Sequence, residues 1–208
     1  MKFYQEIRLI DGEQSLYTLW SLLYGQLHFC LATLGKSSEQ NVGVSFPNYI
    51  FKEHQQKSFT TLGDKLRLFA DDEAQLKHLV DDLKIRLTQY GFKNDADAMA
   101  DNFHFKRIQA VPEMHDLVVV KRYRRKDPMV QAKNYAEHKG VSLEEAIEHC
   151  KQFKRPQKDY PFIVLKSKRN DAFYRLGIIQ ASCDNALVGS FNSYGINNPL
   201  DNVTVPHW

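Results

Sequence analysis

The chain has 208 residues, of which 43% are hydrophobic and 25% are charged, a composition typical of one or two globular domains that bury a core. No apolar run approaches the roughly 18 residues of a membrane-spanning helix, and the start of the chain, MKFYQEIRLI, includes Glu6 and lacks the small-residue cleavage site of a secretory signal. Three cysteines without CxxC spacing (Cys30, Cys150 and Cys183) favour a reducing cytoplasm over a disulfide scaffold, and a net charge of +3 is too small by itself to indicate a nucleic-acid partner.

The first half of the chain alternates strand and helix patterns. Its predicted elements are a strand over 3–10, a helix over 15–35, strands over 41–47 and 62–70, a helix that Asp71 and Asp72 open and Gly91 closes, an acidic loop over 93–102 and a strand over 103–111. A polar loop is predicted between the two middle strands. The order βαββαβ is the ferredoxin-like arrangement.

The second half begins after Pro112. Its predicted elements are a strand over 117–125, a helix from Asp127–Pro128 to Gly140, a short helix that starts with capping-box spacing at Ser142–Glu145, and strands over 162–170, 173–180 and 186–196. The sequence therefore predicts an α+β fold with two domains. These are a ferredoxin-like domain over 1–112 and a smaller α+β domain over 113–208.

Basic residues are concentrated in the second half. Residues 1–112 have a net charge of −1 and residues 113–208 a net charge of +4, and the segment 121–175 holds 15 basic and 7 acidic residues. Such a segment is typical of a surface that binds a polyanion, because Lys and Arg neutralise phosphates. From charge alone, a solvated charged surface is an equally good explanation.

His28 lies on the first predicted helix, at the flank of a stripe of leucines. Tyr17, Ser21 and Tyr24 share that flank, so the imidazole could act as a general base near neutral pH. From the residues alone, a structural histidine at a helix–sheet boundary is the commoner explanation, and Tyr194 could likewise be a core residue or a phenol at a site. The sequence has no HExxH motif and no paired Cys/His spacing, so it does not indicate a metal centre. It has no GxxxxGK[ST] motif for nucleotide chemistry and no GxSxG motif for a serine nucleophile.

The segment KSKRNDAFYRL combines a hydroxyl group (Ser167), two cations (Lys168 and Arg169) and two adjacent aromatic residues (Phe173 and Tyr174). Cations beside aromatic rings suit RNA, since phosphates bind positive charge and unpaired bases stack on rings. Because neighbouring strand residues point to opposite faces, we expect at least one of the two rings to belong to the core.

Several segments occur together in an order and at separations that match one family: IRLI, LLYGQLHFCL, VGVSFP, KLRLFA, KRYRRK, PFIVLKS, FYRLGI and SYGI. Over nearly its whole length the chain resembles the CRISPR repeat-processing endoribonuclease of type I-F systems. The resemblance implies a ferredoxin-like N-terminal domain and a C-terminal domain with a basic helix. It also implies cleavage of a hairpin repeat RNA at the base of its stem, without metal or other cofactor, by attack of the 2′-OH to leave a 2′,3′-cyclic phosphate.

The resemblance assigns roles to individual residues of this chain. The catalytic histidine falls on His28, the ribose-positioning serine on Ser167 and the active-site tyrosine on Tyr194. The aromatic residue that stacks beneath the terminal base pair falls on Tyr174. The arginine that reads a guanine in the major groove falls on Arg122.

Further RNA contacts are expected from the basic residues Arg124, Arg125, Lys126, Lys133, Lys168 and Arg169. Arg124 stands where the family often has Gln, and Arg suits guanine where Gln suits adenine. Arg169 replaces a second serine of the family. In place of a dense run of Arg, the helix over 128–139 has only Lys133 and Lys139, so Lys151, Lys154 and Arg155 are a hypothetical replacement for its charge.

The implied partners are the repeat hairpin, the crRNA that cleavage produces and the other subunits of the type I-F surveillance complex, with no membrane. Two alternatives stay open from the sequence. One is an RNA-hairpin-binding subunit of the same fold that does not cleave. The other is a metal-dependent hydrolase that uses the scattered His and Asp residues.

Overall fold

A computed structural model of the chain describes residues 1–34, 41–54, 57–124, 127–152, 158–167 and 170–208. The chain divides into two compact units, one formed by Met1–Tyr123 with Tyr160–Trp208 and the other by Arg124–Asp159. The domain boundary after residue 112 stays a prediction. No helix in the described ranges has the length and hydropathy needed to cross a membrane.

The first sheet of the larger unit has the ferredoxin-like strand order. From Phe3 to Ala110 the elements are β1 (Phe3–Leu9), α1 (Leu16–Leu34), β2 (Gly43–Ser45), β3 (Ile50–His54), β4 (Lys57–Thr61), β5 (Lys65–Ala70), α2 (Glu73–Arg86), α3 (Ala96–Asn102), β6 (Phe103–Phe105) and β7 (Gln109–Ala110), of which β3 and β4 form a separate hairpin. The strands lie in the order β2-β5-β1-β6, and all of these neighbours are antiparallel. The predicted βαββαβ arrangement is therefore confirmed.

The two long helices form where the sequence pattern places them. Leu19, Leu23 and Leu27 of α1 recur at helical spacing and are completely buried in the core. Burial of each such side chain stabilises the fold by roughly 1.5–3 kcal/mol. α2 begins at Asp72, whose carboxylate accepts a hydrogen bond from the amide of Ala74 at 3.1 Å. It ends in a π-helical turn, Leu87–Gly91.

Three predictions in this region are wrong. The polar loop after Pro47 contains the hairpin β3–β4. Alternation of apolar and polar residues does not reveal this hairpin, because even its Phe59 is 64% exposed and does not mark a buried face. The acidic loop over 93–102 contains α3, whose start is capped by Asp95 through the amide of Ala98 at 2.9 Å. The strand over 103–111 is divided into β6 and β7, which pair with opposite ends of β1.

The second sheet of the larger unit is formed by β8 (Asp116–Tyr123), β9 (Phe162–Lys166), β10 (Phe173–Ser182) and β11 (Thr204–His207), in the antiparallel order β11-β8-β10-β9. The predicted strand over 186–196 is wrong, because that segment is a loop held by asparagine side chains. The strand β11 was not predicted, since Pro206 argues against a strand; an edge strand tolerates proline because one side of it needs no ladder hydrogen bonds.

The smaller unit consists of α4 (Pro128–Lys139) and α5 (Leu143–Gln152). Asp127 caps α4 through the amide of Met129 at 2.8 Å, and Gly140 ends it in the left-handed conformation, as predicted. Ser142 and Glu145 form the expected capping box, with each side chain bonded to the amide of the other residue. Both helices therefore begin where local sequence signals place them, and α4 also ends at its predicted glycine.

Candidate active site

A cleft of about 620 Å³ in the larger unit brings together five of the residues to which the sequence assigns functions. These five are His28, Arg122, Ser167, Tyr174 and Tyr194. The other lining residues are Gly25, Phe29, Ala32, Leu165, Lys166, Asn170 and Ala172. The cleft is therefore built from α1, the three strands β8–β10 and the loop before β11.

The imidazole of His28 is stacked on the phenol ring of Tyr194. The ring centroids are 3.9 Å apart and the rings are within 3° of parallel. Nδ1 of His28 lies 2.8 Å from the carbonyl oxygen of Ser193. Because a carbonyl oxygen only accepts hydrogen bonds, Nδ1 is the protonated nitrogen, and in the neutral ring the lone pair is at Nε2. This tautomer is suited to acid–base chemistry at Nε2.

Tyr194 is fixed by hydrogen bonds at three points. Its amide donates to Oδ1 of Asn192 at 2.8 Å, its carbonyl oxygen accepts from the hydroxyl of Tyr24 at 2.9 Å, and its own hydroxyl lies 2.9 Å from that of Tyr174. Burial is the main cause that raises the pKa of both Tyr24 and Tyr174. Both phenols therefore keep their protons near neutral pH, and these hydrogen bonds persist.

The loop that carries Tyr194 is anchored to both sheets. Gly195 has a φ of +70°, and its carbonyl oxygen accepts from the amide of Val44 in β2 at 3.0 Å. The buried side chain of Asn197 donates to the carbonyl oxygens of Val120 and Val203 at 3.0 and 2.9 Å. These asparagine and glycine contacts hold the loop that carries Tyr194, and the sequence analysis did not predict them. The asparagines and glycine of FNSYGINN are nevertheless a recognisable turn signal.

Arg122 lies on β8, with its guanidinium carbon 5.7 Å from the ring centroid of Tyr174 and 5.8 Å from that of Tyr194. Its Nε is buried and has no hydrogen-bond partner in the part of the chain that the structure describes. A fixed positive charge therefore lies beside the two tyrosine rings, on the wall of the same cleft as His28. An anion in the cleft would be stabilised by this charge.

Ser167 directly follows β9 and lies on the turn into β10. Its amide donates to the carbonyl oxygen of Ala172 at 2.9 Å, and Lys166 and Asp171 form a salt bridge of 3.0 Å across the same turn. Phe173 is 72% exposed, whereas Tyr174 lines the cleft and packs against the core. The two rings therefore point in opposite directions, and one of them contacts the core, as predicted.

The remaining predicted RNA contacts that the structure describes do not line the cleft. Arg124 and Lys133 belong to the smaller unit, where both side chains are exposed. Lys151 forms an exposed salt bridge of 3.4 Å with Glu148. Six of the predicted basic residues lie outside the described residues: Arg125, Lys126, Lys154, Arg155, Lys168 and Arg169. Within the described ranges, no three His, Cys, Asp or Glu side chains come together in a group that could hold a metal ion.

The fold and the cleft define a ferredoxin-like α+β protein with a stacked His–Tyr pair beside a serine and an arginine. A family model described as "CRISPR-associated protein (Cas_Csy4)" matches residues 4–208, and the chain belongs to this family. Membership supports a role in the processing of CRISPR repeat RNA by an RNA-cleaving enzyme.

Solved structures provide more distant comparisons. One described as "An RAMP protein binding different RNA substrates" is 14% identical with a TM-score of 0.32, and covers 99% of both chains. "CRISPR associated protein Cas6" is 11% identical with a TM-score of 0.28, and a Cas6-related protein from Pyrococcus furiosus is 11% identical with a TM-score of 0.33; each match covers 99% of this chain and 98% of the other. No curated protein matches the chain at a significant level. The ferredoxin-like fold follows from the observed strand order β2-β5-β1-β6.

Proposed function

We propose that this protein is a metal-independent endoribonuclease that cleaves CRISPR repeat hairpins in precursor crRNA at the base of the stem. The single observation that carries the proposal is the stacked pair of His28 and Tyr194, with its defined tautomer, in a cleft that also contains Ser167 and Arg122. After cleavage the protein remains bound to the product hairpin and joins the type I-F surveillance complex.

The reaction is an internal transesterification. The 2′-oxygen next to the scissile phosphate forms a bond to phosphorus, and the bond from phosphorus to the 5′-oxygen breaks, which leaves a 2′,3′-cyclic phosphate and a 5′-OH. One proton leaves the 2′-OH and one is added to the departing 5′-oxygen. RNA therefore supplies its own nucleophile, and the protein has to align the attack and transfer protons.

His28 is the catalytic residue, as general base toward the 2′-OH or as general acid toward the 5′-oxygen. The bond from Nδ1 to Ser193 leaves Nε2 as the atom that exchanges the proton. Tyr194 holds the plane of the imidazole by stacking, and Ser167 orients the ribose. Proton transfer by a positioned side chain contributes about 10²–10⁴-fold to the rate.

The RNA is held by positive charge and by stacking. Arg122 contacts the RNA within the cleft, where a guanidinium can bind a guanine edge with two hydrogen bonds. Tyr174 supports the terminal base pair. Phosphate contacts come from the basic residues Arg124, Arg125, Lys126, Lys133, Lys168 and Arg169.

A second candidate is an RNA-hairpin-binding subunit that does not cleave. It is favoured by Arg169 in place of a second serine and by α4, which has Lys133 and Lys139 as its only Lys or Arg residues. In this alternative the cleft binds RNA but does not catalyse its cleavage.

One experiment separates the candidates. The protein is incubated with an end-labelled repeat hairpin in EDTA, and the 3′ ends of the products are analysed. Cyclic-phosphate ends that are lost in His28→Ala are expected. Tight binding without cleavage would support the non-cleaving subunit, and cleavage only after addition of a divalent cation would support a metal-dependent hydrolase.

A further inference from the structure

The guanidinium of Arg86, the last residue of α2, lies over two aromatic rings. Its guanidinium carbon is 3.6 Å from the ring centroid of Phe29 on α1 and 4.8 Å from that of Tyr90 in the π-helical turn. Phe29 follows His28 in the chain and lines the cleft. The three side chains Phe29, Arg86 and Tyr90, called here the Arg86 platform, therefore adjoin the cleft.

The positive charge of the platform has no acidic partner in the part of the chain that the structure describes. Arg86 forms no salt bridge with any carboxylate in the described ranges. Asp82 lies one helical turn earlier, but its carboxylate is 3.5 Å from Nδ1 of His78. The Nε of Arg86 is buried and has no hydrogen-bond partner among the described residues. A half-buried guanidinium without an anion is a site where an anion from solution can bind.

The geometry of the platform suits a nucleotide better than a simple anion. A guanidinium whose faces contact aromatic rings can still bind two oxygens of one phosphate through its N–H groups. Tyr90 is 64% exposed, so its ring offers a surface on which an unpaired base can stack. A cation beside an exposed ring is the combination that binds single-stranded nucleic acid without regard to sequence.

We propose that the Arg86 platform binds the single-stranded RNA that continues on the 3′ side of the cleaved bond. This inference rests on the proposed function, in which His28 acts at the base of the stem. The nucleotide on the 5′ side of that bond belongs to the paired stem, whereas the nucleotide on its 3′ side is the first unpaired one. Its phosphate binds Arg86 and its base stacks on Tyr90.

The test compares three versions of one repeat hairpin: without extension, with a short single-stranded 3′ extension, and with a short 5′ extension. Each carries a 2′-deoxy sugar on the last paired nucleotide at the 3′ side of the stem, so that the 3′-extended hairpin, which alone contains the cleavable bond, is bound without being cleaved. Wild type should bind the 3′-extended hairpin more tightly than the bare one. Arg86→Gln should weaken binding of the 3′-extended hairpin by about tenfold and reduce its salt-dependence slope by about 0.7.

Two variants complete the test. Tyr90→Ala removes the exposed ring from the π-helical turn and should also weaken binding of the 3′-extended hairpin only. If Arg86→Gln does not fold, this variant tests the proposal in its place. Lys77→Gln removes an exposed charge from the same helix. Nine residues before Arg86, it lies on about the opposite side of α2, and it should leave all three affinities unchanged.

Several outcomes overturn the inference. Equal losses of affinity for all three hairpins would mean that the platform only stabilises the packing of α1 against α2. An effect confined to the 5′-extended hairpin would assign the platform to the other strand. Wild type that binds the bare and 3′-extended hairpins equally well contradicts the platform but leaves the proposed function intact, whereas wild type that binds no hairpin overturns both.

Discussion

The two compact units of the molecule hold their side chains in different ways. In the larger unit, Leu19, Leu23 and Leu27 are completely buried, and the polar groups of the cleft are joined by hydrogen bonds, as in the contacts of Tyr194 with Tyr24 and Tyr174. In the smaller unit, Ala132 and Ala146 are the only buried residues among those the structure describes. Its basic side chain Lys133 is exposed.

This difference matches the two tasks of the proposed function. Proton transfer requires groups that are fixed to within about 0.5 Å, which a dense core with hydrogen-bonded loops can supply. Attraction of phosphates by Lys depends on charge more than on orientation, which an exposed pair of helices can supply. Substitution of His28 or of the loop that holds it should therefore change the cleavage rate, and substitution of the exposed Lys of the smaller unit should change affinity.

The largest effect is expected for His28→Ala. The cleavage rate at saturating hairpin should fall by about 10²–10⁴-fold because the proton-transferring group is lost, while hairpin affinity stays the same. Single-turnover kinetics and a binding titration measure the two quantities. The control is His78→Ala, which removes an exposed histidine of α2 and should leave the rate unchanged. A cleavage rate of His28→Ala equal to that of wild type would contradict the assignment of proton transfer to the larger unit.

The next effect is expected for Gly195→Ala, next to the stacked tyrosine. The φ of Gly195 is +70°, and an added Cβ would lie 2.6 Å from Cγ1 of Val44, so the loop has to shift. We expect a loss of about 1–3 kcal/mol in the free energy of unfolding, with slower cleavage because Ser193 and Tyr194 move.

Gly140→Ala in the smaller unit is the matched control. Its φ is +67°, but nothing lies within 4 Å of the added Cβ. It should cost roughly 1–2 kcal/mol without slowing cleavage. Thermal unfolding and single-turnover rates measure both variants, and a slower rate in Gly140→Ala alone would reverse the assignment of the chemistry to the larger unit.

A smaller effect is expected for Lys133→Gln in α4. Loss of one phosphate contact should weaken hairpin binding several-fold at low salt and lower the salt-dependence slope by about 0.9. The rate at saturating RNA should not change. Titrations at several salt concentrations measure this, with Lys65→Gln of β5 as the charge-matched control in the larger unit. An unchanged slope in Lys133→Gln would exclude α4 from phosphate binding.

The smallest effect concerns the stability of the larger unit in acid. Burial opposes ionisation of Glu6, but the bonds from Lys106 and Arg67 outweigh it and lower the pKa of this carboxyl group. A carboxyl group with a lowered pKa stabilises the folded state above its unfolded pKa, near 4.5, and this contribution is lost as the pH falls below that value. Denaturation of wild type and Glu6→Gln between pH 7 and about 3 should show a weaker pH dependence in the variant. An equal pH dependence contradicts the role of Glu6.

The elements that could be predicted are those with strong local signals. The leucines of α1 at helical spacing, and Asp127–Pro128 with Gly140 around α4, each determine a structure within a few residues of sequence. The hairpin β3–β4 lacks such signals, and the loop before β11 has turn residues that do not determine its conformation by themselves. The conformation of that loop depends on contacts with distant elements, such as Asn197 with Val120.

The candidate site could be predicted in part. Periodicity placed His28 at the edge of the leucine stripe, but the residues alone favoured a structural role, and the family resemblance was needed to associate it with Ser167 and Tyr194. The stacking of His28 on Tyr194 joins residues that are far apart in the sequence, and no local pattern encodes it. The Arg86 platform was not predicted either, because the contact of Arg86 with Phe29 also joins residues that are far apart in the sequence.

The central claim is that the RNA supplies its own nucleophile and that His28 moves the proton. The most direct measurement uses two hairpins that differ by a single 2′-deoxy substitution, at the nucleotide on the 5′ side of the cleaved bond. The account predicts that wild type binds both equally well in EDTA and cleaves only the hairpin that retains the 2′-OH. Cleavage of the deoxy hairpin at the same bond would contradict it.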